Sequence, residues 1–287
     1  MKIHQQAHFT MVVVEKIADL RQLVASHRQS GKRIGFVPTM GALHAGHLSL
    51  IDTARKHSDI VVASVFVNPI QFNDPKDFAA YPITTEADKA LLRGQGCDIV
   101  FMPSKEEMYP DAPTEHYDFG QMERVMEGAC RPGHFNGVAV IVKRLFDMVQ
   151  PDKAFFGQKD FQQLAIIKAL VAKLQLPVEI ISCATVREID GLAMSSRNMR
   201  LSQAERTSAL RISQALRKAV AGDFSADPVL IQEKALSFLS EDSNLRPEYF
   251  EIVDADTLMP VAGTLRNAVA CTAVFDGPVR LIDNMYF

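Results

Sequence analysis

Short apolar runs alternate with stretches of helical periodicity through the first two-thirds of this 287-residue chain. The runs "RIGFVPT", "DIVVASVFV", "CDIVFMP", "DKAFFG" and "PVEIISC" are rich in Val, Ile and Phe and do not alternate strictly with polar residues. That is the composition of strands covered on both faces. Between them, the spacing of Val138, Val142, Leu145 and Val149 predicts a helix over 138–149, and Phe161, Leu164, Ile167, Val171 and Leu174 predict the next. Asp160 stands at its start, where a carboxylate can cap first-turn amides. Strands and helices in this order build right-handed βαβ units, and so an α/β fold with a doubly wound parallel sheet.

After about residue 185 the rhythm changes. "SQAERTSALRISQALRKAVAG" reads as one amphipathic helix, with Ala209, Ile212, Leu216 and Val220 on a face and Gly222 to end it. "DPVLIQEKALSFLS" predicts a second helix with Pro228 in its first turn. Three strand-like pieces follow, "EYFEIVD", "AVACTAVF" and "VRLIDNM", the last two joined by the turn "DGP". The division this suggests is a large α/β domain over 11–185 and a smaller α+β domain over 186–287. Residues 1–10 are expected to be a disordered extension.

A formal net charge of -3 and the lack of a basic cluster argue against nucleic acid as a partner. Cys97, Cys130, Cys183 and Cys271 lie far apart without a CxxC pair, which suits reduced thiols better than disulfides or a zinc site. No apolar run approaches the roughly 18 residues that a membrane span needs. The start "MKIHQQAHFT" lacks the apolar core of a secretory signal. The expected location is the cytoplasm, with no membrane partner.

Ligands of doubly wound sheets sit beyond the carboxyl ends of the strands, and the polar motifs fall there. "PTMGALHAGHLSLI" puts His44 and His47 around the start of a helix, where free amides and the positive dipole end favour an anion. Gly41 and Gly46 allow close approach of backbone to phosphates. The pair is open to three readings: a phosphate cradle, a metal site short of its third ligand, or incidental surface histidines. "FGQKDFQQ" repeats the strand, turn and helix start with Lys159 and Asp160, a phosphate-reaching lysine and a carboxylate that could cap the helix or hold a metal. "LAMSSRN" adds hydroxyls and an arginine suited to polyphosphate. Asn68 and Gln71 in "FVNPIQF" could read a small ligand's hydroxyl or carboxylate. "CRPGHFNGV", with Arg131, His134 and Asn136, suggests a mobile flap over 130–138.

Taken together, "PTMGALHAGHLSLI", "FVNPIQF", "RPGHFNGVAVIVKRLF", "FGQKDFQQL" and "MSSRN" closely resemble the pantothenate synthetase (pantoate–β-alanine ligase) family, part of the HxGH nucleotidylyltransferase superfamily. The resemblance runs from about Met11 to the C-terminus and implies a Rossmann-like sheet of the HxGH type. It implies an ATP-dependent ligase that condenses pantoate with β-alanine through a pantoyl adenylate, releasing pyrophosphate and then AMP. By the same resemblance, Met40, Gly41, Ala42, Leu43, His44, Ala45, Gly46 and His47 bind ATP. So do Gly157, Gln158, Lys159 and Asp160, the backbone of Val186, and Met194, Ser195, Ser196 and Arg197, which close over the phosphates. His47 takes the family's proton-donor role, although stabilising phosphate charge is the physically better contribution; His44 and Lys159 join it as catalytic residues. Gln71 and Gln163 are expected to bind pantoate, with Gln71 also bordering β-alanine. The family further implies Mg2+ with ATP, an acidic residue matching Asp88 near that metal, and a homodimer. Two other readings remain open at this point: a nucleotidylyltransferase that stops at an adenylylated product, and a non-catalytic ATP sensor. The paired glutamines argue against the first, whose phosphorylated substrates want cations.

Overall fold

The computed structural model describes residues 11–287, so the expected extension at 1–10 lies outside the described residues. Strands β1 (Val12–Val14), β2 (Ile34–Thr39), β3 (Ile60–Val65), β4 (Ile99–Phe101), β5 (Lys153–Gly157) and β6 (Glu179–Cys183) form one sheet in the order β1-β4-β3-β2-β5-β6. Every neighbouring pair is parallel. Alternate residues feed two cores. Ile34, Phe36 and Val62 face one, with Leu20, Val24, Leu145 and Leu164, while Val37, Val61 and Ala63 face the other, with Leu50, Ile51 and Leu92. Burial on both faces is why these strands carry no polar alternation. β1, a three-residue edge strand, is the one that the sequence patterns do not single out.

The helices of this part are α1 (Ile17–Gln29), α2 (Ala45–His57), α3 (Pro75–Ala79), α4 (Thr85–Gly94), α5 (Lys105–Met108), α6 (Met126–Cys130), α7 (His134–Val149) and α8 (Phe161–Leu174). Two expectations need correction here. The 130–138 segment is not a loop throughout: α7 begins at His134, and His134, Phe135, Gly137 and Val138 are buried, so the second half of the expected flap is fixed in a helix. A Cβ on Gly137 would stand 2.6 Å from the carbonyl oxygen of Ile70, so the first turn of α7 is pressed onto the turn Pro69–Gln71. Asn136 is likewise structural, its Oδ1 accepting from the Tyr117 amide at 2.8 Å. Asp160 does occupy the N-cap position of α8, but its carboxylate accepts from none of the first-turn amides; it lies 3.7 Å from the Lys159 ammonium instead.

The remainder is α9 (Gln203–Ser208), α10 (Leu210–Ala221), α11 (Pro228–Ser240) and an antiparallel sheet of β7 (Leu245–Asp254), β8 (Ala268–Asp276) and β9 (Val279–Tyr286). The single helix expected over 202–222 is interrupted at Ala209, where Ile212 bonds back only three residues, to the Ala209 carbonyl. Ile212, Leu216, Ile231, Phe250 and Ile252 form the core of this part. A small apolar cluster, including Met126, Phe161, Val269 and Cys271, joins it to the parallel sheet. Beside that cluster Glu127 of α6 receives both terminal nitrogens of Arg280, at 2.8 and 2.7 Å, and the Tyr249 hydroxyl at 2.9 Å. Burial opposes the Glu127 charge, but the Arg280 hydrogen bonds and charge outweigh it and hold the carboxyl down to about 2.

Candidate active site

In the order β3-β2-β5 the chain winds away from β2 in both directions, which makes the β2/β5 crevice the switch point where such sheets bind ligands. A cleft of about 210 Å³ opens there, lined by residues that follow β2, β3 and β5 and by the 184–197 loop.

The two histidines cap their own helix. His44 is the N-cap of α2, and its Nδ1 accepts from the Gly46 amide at 3.1 Å; the Nδ1 of His47 faces the His44 amide at 3.4 Å. This is a capping box made with imidazoles. A backbone N–H can only donate, so both Nδ1 atoms are acceptors and the ring proton of each neutral histidine sits on Nε2. Burial, then the Lys159 charge, lowers His44 to about 4. Burial, then the neighbouring His44, lowers His47 to about 3. Both rings, 4.1 Å apart, line the cleft as neutral N–H donors. Gly46 is needed for this fit, since a Cβ there would lie 2.8 Å from the His44 ring.

Behind the histidines the loop turns through Gly41 and Ala42, both at positive φ (84° and 49°). A non-glycine in that region is strained, and Asp88 holds it. The Asp88 carboxylate accepts from the amides of Ala42 (3.0 Å) and Leu43 (2.8 Å) and from the Thr84 hydroxyl (3.1 Å), with the residue 1% exposed. The expectation of Asp88 near the metal is therefore corrected: both oxygens are committed to the loop and the residue does not line the cleft.

Beyond β5, Lys159 and Asp160 reach the same mouth. Their turn is gripped from the second sheet: Asn284 of β9 donates from Nδ2 to the carbonyls of Gln158 and Lys159, at 2.9 and 2.8 Å. The adjacent Asp283 takes both terminal nitrogens of Arg187, at 2.6 and 3.0 Å, and so fixes the start of the 186–197 loop. In that loop Ser195 caps the Arg197 amide, the Ser196 hydroxyl lies 3.5 Å from that of Tyr81, and Arg197 pairs with Asp77 at 2.7 Å. Deeper in, Asn68 and Gln71 meet the cleft with Gln163. A second cavity of about 80 Å³ shares Gln71, Lys159 and Gln163 with the first and extends to Arg131, His134 and Asp283.

Of the residues singled out in the sequence, Met40, His44, Gly46, His47, Gln71, Gly157, Lys159, Asp160, Gln163, Val186, Met194, Ser195, Ser196 and Arg197 line one cleft. Gly41, Ala42, Leu43, Ala45 and Gln158 do not; they shape the loops behind it. Asp77, Tyr81, Tyr109 and Asn284 went unnoticed, because each acts across the fold and none sits in a patterned motif.

A family model for pantoate–β-alanine ligase matches residues 12–286. The chain is 50% identical over 281 residues to a pantothenate synthetase of Bacteroides thetaiotaomicron and 49% identical over 279 residues to one of Porphyromonas gingivalis. Each match covers 96% of this chain and 99% of the relative. Among solved structures, pantothenate synthetase from Thermus thermophilus superposes with a TM-score of 0.90 at 41% identity, covering 96% of this chain and 100% of that one. A pantoate–β-alanine ligase from Francisella tularensis, solved with a β,γ-ATP compound and β-alanine, gives 0.84 at 32% identity, covering 96% and 98%. The match begins in the first strand, ends in the last and contains every residue lining the cleft, so the chain belongs to the pantoate–β-alanine ligase family.

Proposed function

We propose that this cleft condenses pantoate with β-alanine in two steps. An oxygen of the pantoate carboxylate attacks the α-phosphorus of ATP, and the bond to pyrophosphate breaks. The amine of β-alanine then attacks the acyl carbon of the bound pantoyl adenylate, and AMP leaves. The carboxylate oxygen is a poor leaving group until it carries the adenylyl group, and no enzyme nucleophile is required.

The observation that carries this reading is the convergence of His44 and His47 as neutral Nε2–H donors with Lys159 at one mouth, above the amides of Gln71 and Gln163. Fixed N–H donors stabilise charge that grows on phosphate oxygens without needing to reorient, and Lys159 adds a full charge. The backbone of Val186 and the residues Met194–Arg197 hold the nucleotide, with the Arg197–Asp77 pair exchanged for phosphate. The amides of Gln71 and Gln163 suit the hydroxyls and carboxylate of pantoate, and Gln71 also borders β-alanine.

Mg2+ accompanies ATP in this reading. Among the described residues no group of three or more His, Cys, Asp or Glu side chains could hold a metal, and Asp160 is the acidic side chain lining the cleft. That donor set fits an ion carried on phosphates and water with one carboxylate to help, which is how Mg2+ is commonly held. Bound, it would neutralise phosphate charge; Asp160 would hold it. We assign residues 11–185 as the ATP- and pantoate-binding domain and 186–287 as the smaller domain. The reading includes a homodimer and a cytoplasmic location, both resting on the family resemblance. No helix among the described residues is long and apolar enough to cross a membrane.

Oxygen-18 placed in the pantoate carboxylate tests the route. Transfer of one labelled oxygen to the phosphate of AMP is expected; pantothenate formed without label in AMP would exclude the adenylate.

A further inference from the structure

Three side chains outside the phosphate mouth form a directed chain. The Tyr109 hydroxyl donates to Asn68 Oδ1 at 2.7 Å. Asn68 Nδ2 donates to the Gly137 carbonyl at 3.2 Å and to Gln71 Oε1 at 3.0 Å. Gln71 Nε2 then points to the sulfur of Met40 at 3.2 Å, a weak acceptor at the wall of the cleft. Asn68 and Gln71 are buried, at 1% and 8% exposure, so most of their hydrogen-bonding capacity must be met by these partners.

The direction of each bond follows from chemistry. A carbonyl oxygen only accepts, so the atom of Asn68 beside Gly137 must be the amide nitrogen. Its oxygen then faces Tyr109, whose hydroxyl must donate. The second Nδ2 proton goes to Gln71, whose oxygen must accept, and this leaves the Gln71 nitrogen toward the cleft. The opposite arrangement would set two oxygens against each other at Gly137. Tyr109 is itself held in place: it lies 4.9 Å under the Arg144 guanidinium and 6.1 Å from the Phe66 ring, and it lines neither cavity. Burial raises its phenol, so the hydroxyl stays a donor across the working pH range. The Gln71 backbone is pinned separately, its carbonyl accepting from His134 Nδ1 at 2.7 Å.

We propose that Tyr109 is a positioning residue for pantoate recognition: its hydroxyl holds Asn68 in the orientation that the Gly137 carbonyl selects, and Asn68 in turn sets the Gln71 carboxamide so that Gln71 offers pantoate an N–H donor and not an acceptor. The inference rests on the assignment of Gln71 to pantoate. It also makes that site selective for an oxygen acceptor on the substrate, since a donor placed there would meet another donor.

The test measures the adenylation half-reaction in the full chain for Tyr109→Phe, Gln71→Ala and the double variant. Tyr109→Phe deletes one oxygen, keeps the ring contacts and leaves Asn68 Oδ1 without its donor, the loss of a buried hydrogen bond. The pantoate KM is expected to rise about tenfold, with the ATP KM little changed and the melting temperature lowered by only a few degrees, so that the protein stays folded at the assay temperature. In the Gln71→Ala background the same replacement should have almost no further effect. An unchanged pantoate KM in Tyr109→Phe, or a rise shared with ATP or persisting without Gln71, would overturn the relay. If Gln71→Ala alone leaves the pantoate KM unaltered, the assignment of Gln71 fails first and the relay with it.

Discussion

Replacing His47 by Ala is expected to slow formation of the pantoyl adenylate by about 10²–10³-fold, the usual cost of removing one preorganised donor from developing oxyanion charge. Replacing it by Gln should cost much less, because a carboxamide nitrogen can present an N–H near the position of Nε2. The contrast separates two roles. A proton donor would have to titrate, and an amide cannot; a neutral dipole can be copied. Burial holds His44 and His47 to about 4 and about 3, so acidification from pH 8 to pH 5 leaves both rings of the free enzyme neutral. Rapid-quench measurement of adenylate or pyrophosphate decides the matter: Gln no better than Ala would return His47 to acid catalysis. His47 also closes the capping box of α2, so Ala should lower stability by about 1 kcal/mol, which is a small loss in melting temperature.

Removing Glu127 should be the most damaging change to stability. Its carboxylate is buried with two nitrogens of Arg280 and the hydroxyl of Tyr249 on it, and Arg131 stands 3.5 Å away. Glu127→Ala strands the Tyr249 hydroxyl and leaves Arg280 to its second carboxylate, Glu248, at the junction of the two sheets, a change that costs up to about 3–5 kcal/mol. Denaturant melts at pH 7 would show it; a loss under about 1 kcal/mol would mean that the junction relaxes or admits water. The pH dependence has a defined sign. The Glu127 carboxyl is lowered to about 2 in the native state from an ordinary 4.5, so the unfolded chain binds the proton first. Its contribution is complete above about pH 4.5 and is lost as pH falls toward 2, so the variant should lose less stability than the parent over that range. His44, His47 and His134, held to about 4, 3 and 4, act in the same direction below pH 6.5, because the unfolded imidazoles protonate first. Asp276 opposes them. Buried with neither carboxylate oxygen hydrogen-bonded among the described residues, it is raised to about 7, so its ionisation destabilises the fold as pH rises from 4 to 7.

How much of this could be read from the chain depends on distance in sequence. The parallel sheet was legible because doubly buried strands must be apolar throughout, as Ile34–Thr39 and Ile60–Val65 are, and the placement of His44 and His47 around a helix start was legible because it is local to one turn. β1 was not, since three valines at an edge carry no period. The helical character of 134–137 was hidden because Gly133 and Gly137 look like flap residues, whereas Gly137 serves close packing against Ile70. The clamps were illegible for a different reason. Asp88 reaches Ala42 across 46 positions, Tyr109 reaches Asn68 across 41, and Asn284 reaches Gln158 across 126. No spacing rule connects residues that meet only when the strands are assembled. Asp88 shows the risk of reading charge without its partners: placed near the metal by resemblance, it holds the backbone of a strained loop.

Adenylation of the pantoate carboxylate is the step on which the proposed function turns. Exchange of labelled pyrophosphate into ATP, with Mg2+ present and β-alanine absent, reads that step alone. Exchange that appears only when pantoate is added is the predicted result. No exchange from folded protein that binds ATP and pantoate, or exchange indifferent to pantoate, would contradict it.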